Sequence, residues 1–295
     1  MTRRGVALAT TTRKRLTRVA DAGAGHVLST PDPAERRVVL CYHSVSPSTS
    51  YLSLSPGLFE EHLDWLHEHC QVVALDELVA GPSRKGGPYV AITFDDGYAD
   101  NRTHALPLLA AREMTATFFV TVGFLEGDGE VMAHLREVWD APPGERLRPL
   151  SWSEVRELRG AGMSVGSHTW SHRNLARLST AEAERDLRCS REVLEERLDE
   201  PVRAVAYPWG KLGRHVTAQT FTAARRAGYG LGVISLPRAV RESDGPLRVA
   251  RLGVGNEPVE RVAAKVAGAI DWHAYVHEHI PAPIARLVFV DDASA

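Results

Sequence analysis

The side chains best placed for chemistry fall in three short segments. In Ala91-Ile92-Thr93-Phe94-Asp95-Asp96-Gly97 two adjacent carboxylates end an apolar run, and Gly97 allows a sharp exit. Neighbouring carboxylates at the end of a buried strand repel one another and are tolerable only with positive charge between or beside them. A divalent cation is the economical answer. In Val165-Gly166-Ser167-His168-Thr169-Trp170-Ser171-His172 two imidazoles follow a second apolar run with three residues between them. This spacing predicts one helical turn that brings both rings to one point. Two histidines plus one carboxylate form an incomplete metal shell whose open positions take water or substrate. In Val205-Ala206-Tyr207-Pro208-Trp209-Gly210 a strand stops at a proline-glycine turn bearing two aromatics, and a flat indole beside a metal suits stacking on a sugar ring. A further histidine group, His273, His277 and His279, follows neither a strand nor a carboxylate pair and reads as solvated helix surface.

These segments need elements to position them. Residues 37–42 form an apolar run of strand length, and Leu58, Phe59, Leu63 and Leu66 recur at helical spacing over 56–69. The alternation continues with strands expected at 89–94, 117–122, 163–166, 202–207, 229–234 and 247–252, and helices at 103–112, 151–160, 179–198, 216–227 and 259–270. Strands alternating with helices imply parallel pairing through right-handed crossovers. The expected fold class is α/β, a distorted (β/α) barrel in a single catalytic domain, whose chemistry gathers at the C-terminal ends of the strands. Residues 124–149, with Gly127, Gly129, Pro142, Pro143 and Gly144, read as an inserted loop. Residues 1–35 read as a mobile basic leader, 36–270 as the catalytic domain and 271–295 as a peripheral segment.

Composition narrows the partners. The 295 residues are 44% hydrophobic and 24% charged, enough to bury a sizeable core. With 35 basic and 37 acidic residues the formal net charge is -2, which supplies no field to attract nucleic acid. No apolar run reaches the length of a membrane span, and Arg3, Arg4, Arg13, Lys14 and Arg15 accompany no apolar stretch of signal-peptide length. A cytoplasmic location is expected, with peripheral contact of the basic leader with an anionic membrane surface as the weaker alternative. Cys41, Cys70 and Cys189 lack the close spacing of a thiolate site and read as reduced thiols.

Taken in order, Thr93-Phe94-Asp95-Asp96-Gly97, His168-Thr169-Trp170-Ser171-His172 and Tyr207-Pro208-Trp209-Gly210 resemble the polysaccharide deacetylase family with the NodB homology domain, carbohydrate esterase family 4. The likeness extends to Leu40-Cys41-Tyr42-His43-Ser44-Val45 and to Ala116-Thr117-Phe118-Phe119-Val120, and spans about residues 36–255. The resemblance implies hydrolysis of an acetamide or acetate ester on a sugar with a divalent metal, usually zinc, although the donors also suit cobalt, nickel, iron or manganese. It implies Asp95 as general base, Asp96, His168 and His172 as metal ligands, and the Trp209 N–H, with Tyr207 nearby, at the oxyanion.

Two departures stand out. The family's best-known branch carries an arginine before the third-motif proline where this chain has Ala206, and Arg251 on the late strand is expected to supply the missing charge beside Asp95. The family's late leucine-x-histidine motif has no match after Gly210, and His43, directly after the first strand, is expected to be the general acid. Thr93 and Ser167 are expected to hydrogen-bond around the ligands, Tyr98, Asp100 and Asn101 to bind a sugar hydroxyl or cap the next helix, and Trp152 and Ser153 to pack and cap. The leading expectation is removal of N-acetyl groups from an amino sugar in an oligosaccharide, glycolipid or polysaccharide. An O-acetyl esterase and a carbohydrate-binding relative without turnover are the alternatives.

Overall fold

The computed structural model of the chain describes residues 35–47, 53–81, 86–139 and 148–271. The expected leader up to residue 34, the segment from 272 onward with His273, His277 and His279, and Pro142, Pro143 and Gly144 lie outside the described residues.

Seven parallel strands close a barrel in the order β1 (Arg37–Tyr42), β10 (Val249–Gly253), β9 (Leu231–Ser235), β8 (Ala204–Ala206), β7 (Ser164–Ser167), β6 (Ala116–Val120) and β5 (Tyr89–Phe94), with β5 pairing back onto β1. The β1–β5 seam is the longest, running from Arg37 opposite Tyr89 to Tyr42 opposite Phe94. The other edge of β5 is shared: β4 (Gln71–Val72) takes Tyr89 and Val90, and β6 takes Ile92, Thr93 and Phe94. A short separate pair, β2 (Ser44–Val45) and β3 (Ser53–Leu54), follows β1.

Side-chain alternation divides each strand between two cores. Val38, Leu40 and Tyr42 pack outward with Val90, Ile92 and Phe94 beneath the helices, whereas Val39, Ala91, Phe119, Ala206, Val233 and Val249 share the second core, inside the barrel. Gly166 leaves room for that inner filling, since a Cβ there would lie 2.5 Å from the Phe119 ring. Continued by two residues, the inward rows reach Cys41, Thr93 and Arg251, and by two more along β5 Asp95, so the polar end of the barrel grows out of the same period as its core.

The helices are local products of their sequences. Helix α1 (Pro56–His69) starts at Ser55, whose hydroxyl accepts from Leu58 N, with proline in the first turn. A short α2 (Leu75–Ala80) lies against β5. The helix expected over 103–112 is instead a π-helical turn, Asn101–Ala105, leading into α3 (Leu106–Ala110). Pro107 has no N–H to give, so a regular ladder cannot run through it, and Leu106 N reaches back to Asn101 O. The inserted loop expected over 124–149 carries structure: α4 (Val122–Leu125), then α5 (Gly129–Val138), whose first N–H groups donate to Asp128. Capping boxes open α6 (Trp152–Gly160) at Ser151 and α7 (Thr180–Leu198) at Ser179. Helices α8 (Ala218–Arg226) and α9 (Val259–Ala267) complete the ring. Arg36 clasps its end, donating to Val266 O at 2.8 Å and to both oxygens of Asp271.

Candidate active site

Asp95 directly follows the end of β5, and the guanidinium of Arg251 meets its carboxylate. Arg251 Nη1 donates to Oδ1 at 2.7 Å and Nη2 to Oδ2 at 2.6 Å, with both residues almost wholly buried. A bidentate pair of this kind fixes the carboxylate in orientation as well as charge. Burial pushes the Asp95 carboxyl up, but Arg251, with His168 and His43, more than offsets it and holds the group at about 2. Thr93 tightens the arrangement, its hydroxyl donating to Leu40 O and accepting from Arg251 Nη1. The Cys41 thiol donates to Asp95 Oδ2 at 3.5 Å.

Asp96 is the opposite case. It adopts a left-handed conformation, φ 76°, which turns its side chain away from Asp95's partner. Both of its carboxylate oxygens are buried without a hydrogen-bond donor. Nε2 of His168 and Nε2 of His172 each lie 3.4 Å from Asp96 Oδ1. His168 Nδ1 sits 2.8 Å from Ala206 O, a carbonyl that can only accept, so Nδ1 carries a proton and Nε2 is the nitrogen that faces Asp96. A buried carboxylate without a backbone or guanidinium donor, set before two imidazoles, is a place that a cation satisfies. The three donor atoms lie within 4.8 Å of one another, and their types suit zinc or a neighbouring first-row ion.

The two histidines do not share a helical turn as their spacing predicts. Thr169 at φ 68° and His172 at φ 53° fold the segment into a compact loop. Its polar residues hydrogen-bond locally instead: Ser167 Oγ accepts from Thr169 N, and Thr169 Oγ1 accepts from His172 N, both at 3.0 Å. Asp186 of α7 accepts from Trp170 N and from the Ser171 hydroxyl. From the other side, Val122 N and Gly123 N donate to Thr169 O and Trp170 O, and a Cβ on Gly123 would come within 2.7 Å of that carbonyl.

The structure separates the two aromatics of the third segment. Tyr207 is buried, donates its hydroxyl to Leu247 O at 3.3 Å and packs on Gly232, so it belongs to the outer core. The expectation that it lines the site is corrected by strand alternation: Tyr207 shares a face with Val205, while Ala206 points inward. Trp209, at φ 55° and half-buried, sets its ring against His172, centroids 4.9 Å apart at 62°, and against His215 at 5.4 Å. The indole thus braces His172. Gly210 behind it has no room for a side chain, since a Cβ would lie 2.5 Å from Ser235 N.

His43 is half-buried beside the pair, with a ring nitrogen, Cys41 Sγ and an Asp95 oxygen all within 4.8 Å of one another. Its carbonyl accepts from Asn101 Nδ2 at 2.8 Å. Asp100 caps nothing: it accepts from the Ser44 hydroxyl at 2.6 Å and Val45 N at 3.1 Å, tying down the segment after His43. Trp152 donates to Glu126, and Ser151, not Ser153, caps its helix.

Several contributors are not evident from the sequence. His134 on α5 donates from Nε2 to His172 O at 3.1 Å, and Trp139 stands edge-on to His172 at 6.3 Å and packs on Tyr98 at 4.8 Å. The visible signal is Asp128, a helix-capping residue after Gly127, which announces α5 but not where it packs. Groups behind a metal ligand typically contribute about 10–100-fold in metal affinity. His134→Ala is expected to weaken zinc binding by about that factor in competition with a chromogenic chelator, and His134→Gln, which keeps a donor, to recover most of it.

Comparison with known proteins agrees with this geometry. The polysaccharide deacetylase family model matches residues 83–232, which include Asp95, Asp96, His168, His172 and Trp209 but neither His43 nor Arg251. The chain is 27% identical over 231 residues to YxkH of Bacillus subtilis (strain 168), which carries a provisional polysaccharide deacetylase name, across 77% of this chain and 74% of that one. IcaB from Ammonifex degensii superposes with a TM-score of 0.64 at 28% identity, over 79% of this chain and 98% of that structure. The Streptococcus pyogenes deacetylase PplD in complex with acetate gives 0.65 at 23% identity over 80% and 99%, a likeness of fold. With the motif residues gathered at one barrel mouth and the family model spanning them, the chain belongs to the polysaccharide deacetylase family.

Proposed function

We propose that the protein is a metal-dependent hydrolase that removes N-acetyl groups from an amino sugar within an oligosaccharide, glycolipid or polysaccharide. The observation that carries this reading is the contrast between two adjacent carboxylates, one locked by a guanidinium and the other bare before two imidazoles. Asp96, His168 and His172 would hold the cation, zinc by preference. When bound, such an ion lowers the pKa of water toward neutrality and shares the charge of a tetrahedral oxyanion.

The chain's own residues do the rest. Asp95 accepts the proton of the attacking water, and Arg251 keeps its carboxylate ionised and aimed throughout. The Trp209 N–H donates toward the oxyanion, while its indole holds the His172 ring. His43, on the Asp95 side of the mouth, donates a proton to the departing amine, so that C–N cleavage yields acetate and a neutral amino sugar. In this reading the partner is an acetylated carbohydrate, and nucleic acid is none. No helix of the described residues is long and apolar enough to cross a membrane.

The test is acetate release from N-acetylglucosamine oligomers and from an O-acetylated sugar, using chelated protein with and without added zinc. Zinc-restored release from the N-acetyl substrates is the expected result. Release from the ester alone would replace this reading with an esterase, and no release from protein holding one tight metal would point to a binder. In the same assay His43→Gln is expected to keep its metal and lose about 10²–10⁴ in turnover; a wild-type rate would remove His43 from the mechanism.

A further inference from the structure

The loop that carries the histidine ligands and the loop that carries Trp209 are laced together beyond the site. Asn174 Nδ2 donates to Arg214 O at 3.3 Å, and Ala176 N donates to His215 O at 3.2 Å. His215 therefore sits at the junction, its ring against Trp209, which in turn touches the ligand His172. The residue is only 7% exposed, yet its Nδ1 has no hydrogen-bond partner.

Around this junction the side chains are cationic. Arg177 comes from the histidine loop, and Lys211 and Arg214 come from the tryptophan loop, all three exposed. Burial first, then Arg214, Lys211 and Arg177 push the His215 imidazole down to about 4, and no carboxylate opposes them. Among the described residues none of the three forms an ion pair. Arg173, the next cation along, faces Glu182 and Asp186 and is thereby balanced. On a chain with 35 basic and 37 acidic residues, exposed charges of both signs are ordinarily interspersed. Three cations from two loops that meet at the mouth of a site, over a buried imidazole with an unused nitrogen, depart from that pattern.

We propose that Arg177, Lys211, Arg214 and His215 form an anion subsite, which binds a carboxylate or phosphate carried by the glycan a sugar residue or two from the N-acetyl group being removed. The inference rests on the deacetylase reading and narrows it, since it makes the natural substrate an acidic amino-sugar glycan. Trp209 joins the two regions, with one edge on the metal ligand and the other on the anion subsite. The neutral His215 ring adds a polar contact without the cost of a buried charge. The cations, being exposed, contribute modestly and in a salt-dependent manner.

The experiment compares kcat/KM for three substrates of equal length on the zinc-loaded protein: N-acetylglucosamine oligomers, oligomers in which N-acetylglucosamine alternates with glucuronate, and N-acetylglucosamine oligomers carrying a phosphomonoester. The readout is the ratio of acidic to neutral kcat/KM, so that a general loss of activity cancels. The expected ratio is about tenfold, carried by KM, and falls toward one at high salt and in the Arg177→Gln/Lys211→Gln/Arg214→Gln variant. Whichever acidic substrate shows the larger ratio identifies the anion as carboxylate or phosphate. Equal kcat/KM for neutral and acidic oligomers, insensitive to salt and to the triple variant, would overturn the subsite and leave the deacetylase reading standing. If no oligomer is hydrolysed, the deacetylase reading fails for these glycans, and calorimetric binding of the acidic oligomers decides the subsite. Binding weakened by salt and by the triple variant supports it, and unchanged or absent binding overturns it.

Discussion

Arg251→Ala will lower stability and turnover together, and the way the two losses separate identifies the residue's role. Removing one partner of a buried ion pair leaves the other unpaired in a dry site and costs about 3–5 kcal/mol. Here the orphan is Asp95, 3% exposed, with only the Cys41 thiol left as donor. Urea denaturation should show that loss. Asp95→Asn alone should also be destabilised, because Arg251 is then the unpaired charge, whereas Asp95→Asn combined with Arg251→Met should recover much of the stability with no activity. Turnover should fall by about 10²–10⁴ in Asp95→Asn, with metal content unchanged. In Arg251→Ala the residual activity should carry a displaced acid limb. Burial raises the Asp95 carboxyl and Arg251 is the largest influence lowering it, so without the guanidinium the base protonates at higher pH and the limb moves up. An unshifted profile at wild-type rate would remove Arg251 from the site's chemistry.

Asp96→Asn should abolish tight metal binding and turnover and yet stabilise the metal-free protein. In the wild type both Asp96 oxygens are buried, a cost that His168 and His172 offset in part and a bound cation relieves further. The amide removes the charge and, with it, most of that cost. Zinc should therefore raise the wild-type melting temperature strongly: at a thousandfold excess over Kd the linkage amounts to about 4 kcal/mol, or roughly 10 °C for a domain of this size. The same addition should leave Asp96→Asn unmoved. Scanning calorimetry of both proteins, with and without zinc, checks both signs at once. A metal-free variant that melts below the metal-free wild type would show that Asp96 is satisfied in some other way.

What could be read from the sequence was local or periodic. Strands β1 and β5 and helix α1 fall at the expected residues because an unbroken apolar run, or Ser55-Pro56 ahead of a helical stripe, leaves little competition. Asp95 and Asp96 announce themselves by being adjacent at a strand end. Arg251 was legible because β10 alternates, placing it on the same inward row as Val249. The same alternation argues against Tyr207 as a site residue, since it keeps step with Val205. The loop between His168 and His172 was not legible: a four-residue step suits a helical turn equally well, and the choice is made by Asp186, Gly123 and His134, which come from three distant places in the chain. Helix α5 likewise acquires its role from what it packs against.

The order of the strands around the barrel has a temporal meaning. Asp95, Asp96, His168 and His172 all lie within the first 172 residues, but the guanidinium that pairs with Asp95 arrives on β10, the last strand among the described residues, which pairs with β1 and β9. A chain emerging from the ribosome carries the proposed metal ligands well before it carries the strand that closes the barrel. Until Arg251 is seated, the Asp95 carboxylate has no guanidinium to hold it, and on the proposed mechanism hydrolysis waits for the fold to be complete. On the proposed function, barrel closure would be the act that switches the site on, once per molecule.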